Sequence, residues 1–438
     1  MKCVLTPGYS HVPPRRRNGW AAIAVRPAPL RSACTGVFTL CAGALVGTAG
    51  PIAPTSAPSP ITPFATFTAE GWNNVSGGVK TGAWWNTLLD FGIEADLAGL
   101  GGPADSHVAV QLHWTRNRDD DTCFTDYTGT SNPVSGTMTG DHLRFFNLHY
   151  HQAWADGSRA LKIGQIAVDD DFMVSDYSGL FMNSAFGAMP SQVGTPLSSR
   201  CGYTSAFPIY AVAAPGVFFR MQTDGAFSWQ AGLYHGGPGP DDEGNHGFDW
   251  EGSSRSGVVT FIEGARAYSL AGRAGTFRLG GSVHTGCFED FAALNDGETD
   301  PFVRGLFSVY AINDLVLLAN TEKNPVLAAF SRVGVSPRQD RCVVTLYADS
   351  GLNWFAPFSA RPDDIAGVAV AWSKFGDEFR RFAGTASSET AIEFTYRARL
   401  TSAWSLQGDV QFLLDPAPGA SGDRKTATVL GLRTELAF

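Results

Sequence analysis

Apolar residues recur at every second position in many stretches of the chain. Ile392, Phe394, Tyr396, Ala398 and Leu400 alternate with Glu393, Thr395, Arg397 and Arg399. Trp404, Leu406, Val410, Phe412 and Leu414 alternate with Ser405, Gln407, Asp409 and Gln411. At the C-terminus Leu430, Leu432, Leu436 and Phe438 share a face with Thr434, against Val429, Gly431, Arg433, Glu435 and Ala437. Upstream, Leu89, Phe91, Ile93 and Leu97 alternate with Asp90, Glu94 and Asp96, and Val108, Val110, Leu112 and Trp114 with Gln111, His113 and Thr115. A period of two is that of a β-strand, whose successive side chains point to opposite faces. Each run is about ten residues long, enough to cross a bilayer at a tilt, whereas ordinary strands cluster near five or six. Trp114, Trp404 and Phe438 close their apolar faces as the interfacial girdles of membrane barrels do.

The connections alternate between short and long. Short turns fall at 155–158, 223–225, 270–274 and 400–403; long Gly/Pro/Asp-rich loops occupy 117–141, 170–215, 236–256, 287–301, 375–388 and 415–425. With the N-terminus on the periplasmic side, the long loops fall on the opposite side. Segments 316–325 and 351–363 are long for periplasmic turns. About fifteen clear strand candidates and a poorer one between Gly71 and Trp84 suggest sixteen, an even number that puts both ends on one side. The expected fold is all-β: a transmembrane antiparallel barrel of about sixteen strands.

Composition agrees. Of 438 residues only 17% are charged, against roughly a quarter in average soluble chains. Beyond the N-terminal region no stretch approaches the ~18 continuous apolar residues of a membrane helix, because the apolar residues are dispersed one in two. The first 69 residues contain no Asp or Glu. Lys2, Arg15, Arg16, Arg17, Arg26 and Arg31 precede or flank an apolar run, Gly36 to Val46, which ends in small residues up to Gly50. That order is that of a secretory signal. The expected division is a leader over 1–50, a flexible Pro/Ser/Thr-rich linker over 51–70 and a barrel over 71–438. Removing the leader takes away six positive charges, so the net charge of −9 becomes −15, 26 basic against 41 acidic residues. Such a balance argues against nucleic acid as a partner.

Four cysteines remain beyond the leader, Cys123, Cys201, Cys287 and Cys342. An even number in an exported chain allows one or two disulfides, but buried unpaired thiols fit as well, and the spacings match no zinc pattern.

Several segments resemble the carbohydrate-selective outer-membrane porins of the OprB type. They are LLDFGIEADLAGLGG (88–102), RFFNLHYHQAWADGSRALKIGQIAVDDDF (144–172), FMNSAFG (181–187), APGVFFRMQ (214–222), FSWQAGLY (227–234) and GTFRLGGSVHTGCFED (275–290). The most specific block comprises SRVGVSP (331–337), LYADSGLN (346–353), RPDD (361–364), SETAIEFTYRARLTSAWSLQGDVQFLLDP (388–416) and LGLRTELAF (430–438). The resemblance implies a barrel that admits small sugars by diffusion, with outer-membrane lipid around it, as a monomer or a homo-oligomer such as a trimer. By the same analogy the long loop carrying FMNSAFG folds inward and narrows the pore, which makes Asp171, Phe172, Phe181 and Asn183 candidates for the constriction. The chain departs from the family where His149 and His151 stand in place of Trp and Glu, and Asn147 in place of Glu.

A sugar pore needs aromatic or polar surfaces that hold a pyranose weakly and repeatedly. Asn147, His149 and His151 share one strand face opposite Phe146, Leu148 and Tyr150, and are candidate lumen residues. A metal shared by the two histidines is disfavoured, since residues two apart on a strand lie about 6.5–7 Å apart. Glu393, Arg397, Arg399, Gln407, Asp409, Gln411, Arg433 and Glu435 are candidates for the polar wall, as sugar contacts or as simple charge balance. The acidic runs Asp119–Asp121 and Asp169–Asp171 lack the spacing of a calcium loop. Gly236–Gly247 is not a phosphate loop, and no G-x-S-x-G elbow occurs. No cofactor, metal or catalytic constellation is implied. The competing readings are a general porin for other polar solutes or cations and, in another class, a barrel enzyme or surface interaction protein.

Overall fold

The structure is a computed structural model that describes residues 59–119, 123–154, 157–198, 205–223, 225–416 and 425–438. The leader lies outside these residues. Among the described residues sixteen strands run in chain order: β1 Ile61–Ser76, β2 Gly82–Asp96, β3 Ser106–Asn117, β4 His142–Trp154, β5 Arg159–Ile166, β6 Ala214–Gln222, β7 Phe227–His235 and β8 Val258–Leu270 in the first half. The second half holds β9 Arg273–Glu289, β10 Phe302–Ala319, β11 Pro325–Val335, β12 Val344–Phe355, β13 Ile365–Phe375, β14 Ser388–Arg399, β15 Trp404–Leu414 and β16 Ala427–Ala437. Each pairs antiparallel with its sequence neighbours, and β1 pairs β16, which closes the sheet into a barrel. Among the described residues no helix is long and apolar enough to cross a membrane.

The alternation becomes an outside and an inside. Ile163, Val217, Leu233, Ile262, Leu279 and Val309 point outward and are exposed, as a lipid-facing belt requires. Trp154, Phe227, Trp354, Trp404 and Phe438 are exposed near the short-turn rim, where an interfacial girdle belongs. Trp404 donates its indole N–H to Thr434 Oγ1 at 2.8 Å, so the ring keeps its polar edge satisfied.

Two boundaries differ from expectation. The segment 51–70 was expected to be linker, yet β1 begins at Ile61, and Ile61 to Glu70 pair residue by residue with Ala95 to Asn86 of β2. The Pro/Thr content hid the strand, although Thr62, Phe64, Thr66 and Thr68 share one face, with Ala65 and Phe67 on the other, all residues that a sheet accepts. The poor candidate between Gly71 and Trp84 is the end of β1, the turn 77–81 and the start of β2. The short connections 320–324 and 356–364 fall on the same side as the other short turns.

Strand lengths vary from 8 residues in β5 to 18 in β10. Where β5 stops, the upper edge of β4 would carry unpaired backbone groups, which lipid does not tolerate. The loop 236–257 covers it: Phe145 N donates to His246 O at 3.0 Å, His246 Nδ1 lies 3.0 Å from Leu143 O, and Phe248 packs on Phe145 with ring centroids 5.3 Å apart.

The recovered first strand is directly testable. A chain beginning at Ser59 should refold in detergent to a heat-modifiable barrel. One beginning at Gly71 loses half of the β1 pairing and should fail to show the faster-migrating folded band on unheated gels.

Candidate functional site

The described residues of the loop 167–213, between β5 and β6, pack inside the barrel. Its apolar side chains Phe172, Phe181, Phe186, Met189, Val193 and Leu197 are buried against Phe218, Tyr234, Phe261, Tyr310, Phe330 and Tyr347 of the inner wall. Phe172 sits 5.3 Å from Phe261 and Phe181 5.7 Å from Phe330, centroid to centroid. These inward aromatics are the exception to a polar lumen, and the loop is what covers them. Burying a large apolar side chain is worth roughly 1.5–3 kcal/mol, so the contact is strong enough to hold the loop in.

Polar anchors fix where it sits. The ion pair of Arg332 on β11 and Asp349 on β12 is fully buried, with Nη2 2.5 Å from Oδ2. Arg332 also donates to Gly187 O at 2.7 Å and Ala185 O at 2.9 Å, and Tyr347 Oη donates to Ala185 O at 2.7 Å. On the other side Glu393 accepts from Met182 N at 2.6 Å and Asn183 N at 2.9 Å. Asn183 Nδ2 donates to Gln411 Oε1 at 2.9 Å, and Gln407 Nε2 to Leu180 O at 2.8 Å. The loop 118–141 folds inward beside it. There Gln411 Nε2 donates to Val134 O at 2.8 Å and Ser135 Oγ to Glu70 Oε1 at 3.0 Å.

This arrangement re-sorts the sequence candidates. Glu393, Gln407, Asp409 and Gln411 face inward but are buried beneath the loops; Glu393, Gln407 and Gln411 hold loop backbone amides and carbonyls, and Asp409 accepts from the Gln411 amide. Phe172, Phe181 and Asn183 are buried too, and of the four constriction candidates only Asp171 borders an open cavity. The physical reason is that an alternating pattern tells inside from outside but not wet from covered. Arg433 is tied to Glu70 at 2.6 Å. Arg399 and Glu435 are exposed, and Arg397 is half-buried with no hydrogen bond or ion pair among the described residues. These three form the wet part of that wall.

On β4 one expectation fails by one residue. Phe146 was placed opposite Asn147, His149 and His151, on the lipid face. The register between β3 and β4 shifts here, Gln111 facing Asn147 and Leu112 facing Phe145. The extra residue is a bulge, which puts two neighbouring side chains on one face. Phe146 therefore turns inward and stacks on His113 at 4.3 Å. His149 and His151 keep their inward face, and His107 of β3 joins them, stacked 4.4 Å from His151. Cross-strand register supplied that partner, and no spacing in the sequence could show it. Among the described residues no group of three or more His, Cys, Asp or Glu is arranged to hold a metal.

The start of the loop separates two cavities. Asn147 Nδ2 donates to Asp170 Oδ2 at 3.0 Å and to Gln111 Oε1 at 2.8 Å. Gln111 in turn donates to Asp90 at 2.9 Å. Lys162 of β5 pairs with Asp171 at 2.7 Å. Asp169 Oδ2 accepts from Tyr210 N at 3.2 Å. Asp169 lines an outer chamber of about 250 Å³ between the loops. Asp170 and Asp171 line an inner one of about 360 Å³ with Arg220, Gln222, Ser228, Gln230, Glu263, Thr276 and Arg278. The acidic run thus crosses the partition between two chambers. Burial and the neighbouring Asp170 charge push the Asp169 carboxyl up to about 7. Asp170 is shifted the same way by burial and by Asp171, although one side of it meets lumen water. Arg220 was missed in the sequence; it lies on the inward face of APGVFFRMQ and carries no hydrogen bond or ion pair among the described residues.

The cysteines are placed in part. Cys287 and Cys342 are buried free thiols and Cys123 is buried; Cys201 lies outside the described residues.

A closed sixteen-stranded barrel with long loops at one end, two of them folded into the lumen, defines a porin. The family model of the carbohydrate-selective porins of the OprB family matches residues 88–438, and the chain belongs to that family. Its fold is similar to the high-pH structure of Pseudomonas putida OprB, at 19% identity and a TM-score of 0.74, covering 86% of this chain and 94% of that one. It is also similar to the low-pH structure of the same protein, at 15% identity and 0.53, covering 86% and 92%. Salmonella typhi OmpF in complex with daunomycin matches at 9% identity and 0.50, covering 86% and 97%. No curated protein matches the chain. Family and fold are those of channels of the outer membrane.

Two outcomes follow from the geometry. Arg332→Ala leaves Asp349 buried without its cation, which should cost about 3–5 kcal/mol; the unfolding midpoint in denaturant should fall, and single-channel recordings should become noisier as the loop loosens. Carboxyls shifted upward are charged only above their shifted values, so acidification discharges the partition. The ratio of K⁺ to Cl⁻ permeability should fall as pH drops from about 8 to about 5, a window around the shifted Asp169 where ordinary carboxylates stay ionised, and Asp169→Asn should flatten the dependence.

Proposed function

We propose that this porin passes small neutral sugars, mono- and disaccharides, down their concentration gradient, with the inner chamber as the surface they touch. The observation that carries this reading is Arg220. Among the described residues no hydrogen bond or ion pair holds its guanidinium, which faces a chamber whose other walls offer amides, hydroxyls and carboxylates, Gln222, Gln230, Ser228, Thr276 and Asp170 among them. Vicinal sugar hydroxyls both donate and accept, so they can bridge a guanidinium and a carboxylate at once. The chamber is wet, so each contact is weak, and weak contacts are what conduction needs. Arg397, Arg399 and Glu435 extend a polar path along the far wall. The order of basic, apolar and small residues in 1–50 supports delivery to the outer membrane by an export signal.

Proteoliposomes carrying the purified protein should swell in isosmotic glucose, more slowly in sucrose, and hardly in a tetrasaccharide. Arg220→Ala should weaken glucose block of the single-channel current by up to about tenfold, or ~1.4 kcal/mol, while salt conductance stays close to that of the parent. A channel that conducts salt but admits no sugar overturns the reading.

A further inference from the structure

The inner chamber and the partition above it hold more negative charge than their cations balance. Lys162 pairs with Asp171 at 2.7 Å. Arg278 is shared by two carboxylates, Asp176 at 2.7 Å and Asp314 at 2.5 Å. Glu263 is buried and accepts from neutral donors, Tyr310 Oη at 2.7 Å and Gln230 Nε2 at 3.1 Å. Asp170 accepts from the Asn147 amide and has no ion pair among the described residues. With Asp169 counted, six carboxylates stand against three cations, Lys162, Arg278 and Arg220. Leaving out buried Glu263, and Asp169 with its carboxyl shifted to about 7, four still face three. Asp90, behind Gln111, adds to the acid side.

Asp170 is the acid that meets a solute. It is exposed to the lumen and lines the chamber. Asn147 bonds to its Oδ2, and no described residue bonds to its Oδ1. Arg220 does not neutralise it, because the two lie towards opposite ends of the chamber. Asn147, which holds Asp170, stands two inward positions on the extracellular side of His151, and His151 faces Lys162. Arg220 faces Ala160, one inward position on the periplasmic side of Lys162. A solute from outside therefore meets a carboxylate first and a guanidinium second. An ammonium has three donors and no acceptor, which suits a carboxylate with an empty oxygen, and a bond to it is roughly twice as strong as one from a neutral hydroxyl. A carboxylated sugar is repelled at Asp170 before it reaches Arg220. The volume, about 360 Å³, is that of a small-molecule pocket, roughly 300–1,000 Å³.

We propose that the inner chamber favours amino sugars, with the ammonium against Asp170 and the ring hydroxyls turned towards Ser228, Thr276 and Arg220. This rests on the sugar-pore reading and names the class of sugar that the acidic end of the chamber selects.

The test is block of the small-ion current in planar bilayers by glucosamine, N-acetylglucosamine and glucose. At a pH of about 7 an amine of this kind is mostly charged, as α-amino groups are, and acetylation removes the charge while keeping the sugar. Glucosamine should half-block at a concentration about tenfold lower than N-acetylglucosamine, as a charge-assisted bond implies, with glucose close to the acetylated sugar. Asp170→Asn, shown folded by heat modifiability, should bring the ratio of glucosamine to glucose block towards one. In the parent protein acidification to a pH of about 5 should do the same, since the amine keeps its charge there. Asp170, pushed up to about 6 by burial and by Asp171, loses its own. Equal block by glucosamine and N-acetylglucosamine in a parent protein that passes glucose overturns the proposal and leaves the sugar pore standing. A preference that survives in folded Asp170→Asn, or undiminished on acidification, also overturns it. If glucose neither passes nor blocks, the sugar-pore reading itself falls, and this proposal with it.

Discussion

Glu70 is where the barrel closes and where its filling begins. Strands β1 and β16 meet in a seam from Thr66 opposite Ala437 to Ser76 opposite Thr428, with Glu70 directly facing Arg433. In lipid every backbone group must be paired, so a sheet that crosses must close. The seam joins residues more than three hundred positions apart, and no local propensity can specify it. The buried carboxylate of Glu70 accepts from Arg433 Nε at 2.6 Å, Trp72 Nε1 at 3.0 Å, Asn86 Nδ2 at 3.1 Å and Ser135 Oγ at 3.0 Å. One side chain therefore ties the last strand, the first two strands and an inward loop. Slipping the seam by one residue would turn Glu70 toward lipid and strand the arginine, so the carboxylate also selects the register.

Closure leaves an interior too wide to fill with wall side chains alone. This chain fills it with loop, and the filling is lopsided. Over β6 to β12 the inner wall turns aromatic and the loop 167–213 covers it as a core would. Over β14 and β15 the wall is polar, and Glu393, Gln407 and Gln411 hold the same loop by hydrogen bonds to its backbone. Apolar burial supplies cohesion on one side, and directional bonds set position on the other. What stays open is the space on either side of the segment Asp169–Asp171, so loop packing, more than barrel diameter, sets the path of a solute.

How much of this the sequence shows depends on the kind of information. Strand number, direction and the inward or outward sense of most residues are local, carried by a period of two, and they are readable. The sense of Phe146 is not, because the bulge that turns it depends on the register of β3 against β4. The first strand was obscured because Ile61 to Glu70, with three threonines and a proline, continues the Pro/Ser/Thr-rich stretch 51–60. The covered state of Glu393, Asp409 and Asn183 was out of reach for a deeper reason. Whether an inward residue meets water or a loop depends on contacts across more than two hundred residues, such as Asn183 with Gln411. Arg220 escaped notice for the converse reason: it is an ordinary polar position in an alternating strand, and what sets it apart is that no hydrogen bond or ion pair holds it among the described residues.

The departures on β4 become intelligible against the acidic run. Resemblance to the family suggests Glu at position 147, whereas this chain has Asn, and its amide reaches Asp170 Oδ2 at 3.0 Å. A carboxylate at that distance would face Asp170 as a like charge, and two carboxylates sharing one site cannot both ionise without a large penalty. An amide instead donates to Asp170 and to Gln111, whose own amide reaches Asp90. The acidic charge of the partition is thus carried by the loop, and the strand supplies a neutral donor that holds it in place. Further along the same strand face His151 lies directly across from Lys162 of β5 and stacks on His107, so imidazoles flank the lysine that pairs with Asp171. Three consecutive aspartates, Lys162 and Arg220 thus gather the fixed charge at the partition between the chambers, and Asn147 helps to position it.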